Sequence, residues 1–156
     1  MLCAFVFTSA APGHACSCNY QGDMETYSQG KTVIKATIIA YGPRLKHGET
    51  LHEDMMVEII QVIKGEYTAK RLKLLGDPGW MCRGYIDSER FPLGSTHLFM
   101  TYGNETEQAL IGCGESTVRV KGGKITTTKM IDYEPFSTTY DYETYIDLLT
   151  TDTDKP

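Results

Sequence analysis

The chain predicts a small, mainly β fold, either a barrel or a sandwich. Three observations carry the prediction. Short runs rich in β-branched residues recur along the sequence, glycines mark the turns between them, and helical periodicity is confined to the two ends. In chain order, Asp23 to Gln29 reads as a short helix ended by Gly30. Thr32 to Ala40 is a strand of Val, Ile and Thr, and Tyr41 to Asp54 is a polar, charged connection. Met55 to Ile63 is a second strand, closed by a turn at Lys64-Gly65-Glu66. Ala69 to Leu75 alternates Arg71 and Lys73 with Leu72 and Leu74, the pattern of a half-buried strand, and Gly76-Asp77-Pro78-Gly79 stops it. Trp80 to Pro92 reads as irregular. Thr96 to Tyr102 and Glu107 to Ile111 are strands around a Gly103-Asn104 turn. Thr117 to Val120 and Lys124 to Thr128 flank Gly122-Gly123 as a hairpin. Tyr142, Tyr145, Ile146 and Leu149 recur at helical spacing, so Tyr140 to Leu149 reads as an amphipathic helix, followed by a loose tail from 150 to 156.

The beginning of the chain reads as a signal peptide spanning residues 1–15. Leu2 to Ala11 is uncharged, mostly apolar and too short to span a bilayer, and Gly13 and Ala15 supply the small residues that signal peptidase reads. No Lys or Arg precedes the apolar run. Cleavage after Ala15 makes Cys16 the first mature residue. The expected product is a single secreted domain from 16 to 149, extracellular, or periplasmic in a Gram-negative bacterium, with no membrane span. The net charge of -5 lies wholly beyond residue 15, and the basic residues are scattered. Nucleic acid and anionic lipid are therefore poor partners. The chain has five cysteines, of which Cys3 leaves with the signal peptide. Cys16, Cys18, Cys82 and Cys113 remain, an even number that implies two disulfides with three possible connectivities. Direct pairing of Cys16 with Cys18 is disfavoured because the ring is strained. Each of the two near-terminal cysteines then reaches far down the chain, and two crosslinks one residue apart hold an N-terminus that would otherwise fray.

No enzyme motif stands out. His47 and His52 lie in the charged connection without a third ligand, and His97 sits within a strand. Ser95 and His97 share that strand without a third group to orient them. There is no Gly-rich phosphate loop and no zinc-protease helix, so neither a catalytic activity nor a cofactor is expected. Asn104-Glu105-Thr106 matches the N-glycosylation sequon, whose physical content is an exposed turn.

The N-terminus carries the distinctive chemistry. With Cys16 first, its α-amino nitrogen and carbonyl oxygen can chelate one metal ion in a five-membered ring, while its thiol is taken by a disulfide. An α-amine has a pKa of about 7.7–8.0, so metal binding at neutral pH draws out a proton. Catalytic zinc keeps one position open for water or substrate, and a rigid N-terminus can fill it.

Cys16-Ser17-Cys18 at a processed terminus, followed by Cys82 and Cys113 at separations of 66 and 95 positions, resembles the inhibitory domain of the tissue inhibitors of metalloproteinases, members of the wider netrin-like group. The likeness extends to Thr32-Val-Ile-Lys-Ala-Thr-Ile, to Val57 through Gly65 and to Gly94-Ser-Thr-His-Leu-Phe99. It covers roughly Cys16 to Lys124. The resemblance implies a five-stranded, oligonucleotide-binding-type (OB-fold-like, netrin-like) barrel with short flanking helices, and disulfides Cys16–Cys82 and Cys18–Cys113. It implies a monomeric inhibitor whose partner is a secreted or cell-surface zinc metalloprotease. Cys16 would chelate the partner's zinc through main-chain N and O, and Ser17 would point into the pocket beside it. Cys18, Asn19 and Tyr20 would extend along the cleft, with Trp80, Met81, Cys82 and Arg83 as a second contact ridge. The family's third inhibitory-domain disulfide and its C-terminal domain have no counterpart here, and the acidic, Tyr-rich segment from Asp132 to Leu149 matches nothing in it. The alternative within the same resemblance is a non-inhibitory netrin-like module that binds an extracellular or envelope protein.

Overall fold

The computed structural model describes Met24 and residues 31–47, 50–78, 82–112, 115–131 and 134–151, with the backbone alone for 45–47, 50–52 and 129–131. Met24 is helical and fully buried. The rest of the expected N-terminal helix lies outside the described residues. Among the described residues, ten strands and one helix follow. They are β1 (Thr32–Tyr41), β2 (Leu45–His47), β3 (Thr50–His52), β4 (Met55–Lys64), β5 (Arg71–Leu75), β6 (Thr96–Gly103), β7 (Glu107–Leu110), β8 (Thr117–Lys121), β9 (Lys124–Ile131), β10 (Glu134–Asp141) and α1 (Tyr142–Thr151).

Five of the strands close a barrel. Their order is β1-β4-β5-β7-β6, and β6 returns to pair with β1. The pairings are antiparallel except β5 with β7, which run parallel from Lys73↔Glu107 to Leu75↔Ala109. This arrangement is consistent with an oligonucleotide-binding-type barrel. Strand β1 makes closure possible. Its register against β4 shifts between Val33/Ile34, Lys35/Ala36 and Ile38/Ala40. Such irregularities increase local twist and bend a strand, which a barrel this small requires.

Two cores share β1 and β6. Ile34, Ala36 and Ile38 of β1 fill the barrel with Phe99 of β6, Leu72 and Leu74 of β5 and Phe91 of the connecting segment. Val33 of β1 and Leu98 and Met100 of β6 face the other way, into a second cluster with Val118, Ile125, Tyr145 and Leu149. Covered on both faces, β6 has five consecutive buried residues from His97 to Thr101 and none of the alternation of a half-exposed strand.

The second cluster depends on the chain after the barrel. β8 pairs with β6, and a Gly122-Gly123 turn, both residues at positive φ, leads into β9. β8 and β9 share only the register pairs Val120↔Ile125 and Lys121↔Lys124. β9 then pairs with β10 over eight positions, from Lys124↔Asp141 to Ile131↔Glu134. The sequence signals no element between Thr128 and Tyr140, and β10 occupies most of that stretch. α1 folds back so that Tyr145 and Leu149 are fully buried. The Tyr142 hydroxyl donates to Gln61 Oε1 at 2.9 Å, and the Lys35 ammonium lies 3.9 Å from the Tyr142 ring centre. α1 starts two residues later than expected and includes Thr150 and Thr151. The polar, charged connection from Tyr41 to Asp54 contains the β2–β3 hairpin. Among the described residues, no helix is long and apolar enough to cross a membrane.

Candidate functional site

Of the expected contact residues, Cys82 and Arg83 are described. Cys16, Ser17, Cys18, Asn19, Tyr20, Trp80 and Met81 lie outside the described residues, as does Cys113.

Cys82 is disulfide-bonded and exposed, and it is the one non-glycine residue at positive φ (53°) among those described. A side chain in this region costs on the order of 1 kcal/mol, so the surroundings must hold it there. The adjoining backbone supplies part of that restraint. Arg83 forms an antiparallel bridge with Ile111, and Gly84 N–H donates to Leu110 O at 2.9 Å. The two segments touch so closely that a Cβ on Gly112 would stand 2.3 Å from Cys82 O, and one on Gly84 would stand 2.6 Å from Leu110 Cβ. Glycine at both positions allows the contact. Cys82 therefore rests against Gly112, the residue before Cys113 in the chain.

Beside this seam opens a cleft of about 280 Å³ at one end of the barrel. Leu75 at the end of β5, Arg83, Tyr102 to Asn104 at the end of β6 and Glu107 to Ala109 of β7 line it. Lys73 stands nearby and bridges Asp54 Oδ2 at 3.1 Å and Glu107 Oε1 at 3.2 Å. Hydrogen bonds that Lys73 donates to Asp54 and then to Glu107 raise its pKa and keep its ammonium charged. In the turn, Asn104 Oδ1 accepts from Thr106 N at 3.0 Å, Thr106 Oγ1 at 3.1 Å and Glu107 N at 2.8 Å. The strand expected over 107–111 matches β7, but nothing in the sequence signals that Gln108 and Asn104 border a cleft, because their meeting with Arg83 depends on the Arg83–Ile111 bridge and the Gly84–Leu110 hydrogen bond.

The Ser95–His97 pair does come into contact, with Ser95 Oγ 2.9 Å from His97 Nε2. Ser95 Oγ also donates to Pro92 O at 2.6 Å. A hydroxyl has one proton, so the Ser95 oxygen accepts from His97 Nε2–H. An imidazole in that tautomer cannot take the serine proton, and the arrangement is not that of a nucleophile with its base. His97 is 3% exposed and stands between the rings of Phe91 and Phe99, at centroid distances of 5.3 and 5.5 Å. Burial, then Arg119 and Arg90, push its pKa down to about 4. It is a neutral core residue at physiological pH.

A smaller cleft of about 170 Å³ is lined by Arg44, Glu53, Tyr85, Ile86 and Asp87. Arg44 pairs with the buried Glu53 there, and Tyr41 donates to Phe91 O. Burial, then Glu53 and Asp87, push the Tyr41 phenol up to about 12. Among the described residues, no three His, Cys, Asp or Glu side chains converge to hold a metal ion. The backbone of the β2–β3 hairpin puts His47 opposite Thr50 and His52 opposite Leu45.

No family model matches the chain, and no curated protein or solved structure matches it.

Proposed function

We propose that the protein is a secreted inhibitor of zinc metalloproteases whose mature N-terminus, Cys16, occupies the partner's catalytic zinc. The α-amine and carbonyl of Cys16 chelate the ion and displace the water that would attack substrate. Ser17 enters the pocket beside the zinc. Cys18, Asn19 and Tyr20 follow the cleft, and Trp80, Met81, Cys82 and Arg83 form the second ridge. Disulfides Cys16–Cys82 and Cys18–Cys113 fix both strips in advance, which lowers the ordering cost of binding. The protein itself supplies no catalytic group and no cofactor.

The observation that carries this reading is the seam at Cys82. Two crosslinks that start one residue apart need their receiving cysteines on neighbouring backbones, because alternate residues of an extended strand lie about 7 Å apart and adjacent strands about 4.8 Å. A disulfide tolerates Cα separations of about 4.4–6.8 Å. Cys82 is disulfide-bonded, and it packs against the residue that precedes Cys113. The closed five-stranded barrel agrees with the fold that the resemblance implies.

The test starts with the mass of the secreted N-terminus and then assays inhibition across a panel of zinc metalloproteases. Protein beginning at Cys16 is expected to inhibit at least one member stoichiometrically. Acetylating the Cys16 amine, or leaving one extra residue before it, is expected to abolish inhibition while the fold is unchanged. Full potency after either change would overturn the chelation mechanism, and no inhibition across the panel would leave the non-inhibitory binding module.

A further inference from the structure

We propose that the cleft framed by Arg83, Tyr102, Asn104 and Gln108 is a carboxylate-binding subsite that takes an acidic side chain of a docked polypeptide. The case rests on which polar groups the fold leaves over. Gln108 is 6% exposed, and its Oε1 is occupied by the Thr101 hydroxyl. That bond leaves the amide nitrogen, a donor, as the polar end available to the cleft it lines. Asn104 is in the same position. Its Oδ1 already accepts from Thr106 N, Thr106 Oγ1 and Glu107 N, so its NH₂ is the free end. Arg83 is half-buried, and its guanidinium has no ion pair or hydrogen bond among the described residues.

Three side chains, Arg83 on one segment and Asn104 and Gln108 on the β6–β7 hairpin, therefore offer donors at one cleft, and among the described residues none has an acceptor. Converging donors with no protein acceptor favour an acceptor-only group. A carboxylate is the acceptor-only group that polypeptides carry, and a guanidinium matches it geometrically. Among the described residues, the one carboxylate lining the cleft, Glu107, is tied to Lys73 at 3.2 Å, which offsets its repulsion of an incoming anion. Leu75 and the partly exposed Tyr102 supply apolar wall for the methylenes of a glutamate. The subsite adjoins the Cys82–Arg83 seam, but it does not require the Cys16 amine.

Titration of the full-length secreted protein with acetyl-Gly-Glu-Gly-amide, followed by backbone and side-chain ¹⁵N–¹H shifts, tests it. The expected result is saturable movement of the Gly103 amide, the Gln108 side-chain NH₂ and Arg83 Nε at millimolar peptide. The glutamine counterpart should bind about tenfold more weakly, because its amide lacks the charge that strengthens such bonds. Arg83→Gln should weaken glutamate-peptide binding several-fold. Asn104→Asp should do the same by a cleaner route, since it keeps the acceptor the turn needs and replaces the donor with a negative oxygen. Unchanged amide shifts elsewhere establish that both variants are folded. Equal binding of the two peptides, absence of saturable shifts, or indifference to both substitutions would overturn the proposal. Tight succinate binding without peptide binding would overturn the polypeptide assignment. Protein acetylated at Cys16 should bind the glutamate peptide normally, so failure of zinc chelation and failure of this subsite are read separately.

Discussion

His97 gives the barrel a built-in response to acid. In the unfolded chain its imidazole takes a proton near the ordinary value of about 6.5, whereas in the barrel it resists until about 4. Between these values the unfolded state binds more protons, so stability falls as pH drops through this window and is unaffected by this group above it. The expected loss is about 3 kcal/mol by pH 4. Urea unfolding at successive pH values should show it, and His97→Gln should remove this part of the slope. Gly112 is a second residue with a defined role. A methyl there would overlap Cys82 O, so Gly112→Ala should destabilise the protein by about 1–3 kcal/mol, measurable as a lower thermal midpoint. Neither role was visible in the sequence. His97 reads as a strand residue, and its low pKa follows from rings and arginines that tertiary packing brings together. Gly112 reads as a residue between a strand and a cysteine, and its contact is with a segment thirty positions earlier.

Among the elements, the legible ones are those whose pattern records burial. β1, β4, β6 and β7 fall within a residue or two of their expected bounds, because long β-branched or apolar runs have few alternatives to a buried strand. The Gly122-Gly123 hairpin is equally plain. β10 went unread because Glu134 to Thr139 presents mostly exposed side chains and contains Pro135 and Phe136 without alternation. It is a strand because β9 offers it a ladder, and cross-strand hydroxyl pairs Thr126–Thr139 at 3.0 Å and Thr128–Ser137 at 3.2 Å decorate the open face. β2 and β3, three residues each, are too short to announce themselves. The α1 pattern predicts a buried face correctly, and that face supports the second core. Leu149→Ala should cost about 2–4 kcal/mol. Amide exchange should accelerate first in β9 and α1, which pack against Leu149, rather than in the barrel strands.

For the molecule as a whole, the two cores are not independent domains. β1 and β6 present one face to each, so loosening either cluster removes support from strands that the other needs. Unfolding is therefore expected to be a single transition. Leu74→Ala in the barrel and Leu149→Ala beyond it should lower the same midpoint, and two resolved transitions in calorimetry would contradict this coupling. The barrel removes most of the strand edges from solvent, but β10 keeps one. Among the described residues its outer edge pairs with no other strand, and it bears the exposed Phe136. Glu134 and Asp141 mark its two ends, and Pro135 removes one donor from it. When two copies of β10 approach antiparallel, Glu134 of one comes opposite Asp141 of the other, and Lys124, which pairs with Asp141 at 2.8 Å, offsets part of the repulsion between them. As pH falls from about 6.5 towards 4, His97 loosens the barrel behind that edge. Mildly acidic, concentrated solution is thus where this protein should begin to self-associate, with β10 as the strand that joins one copy to the next.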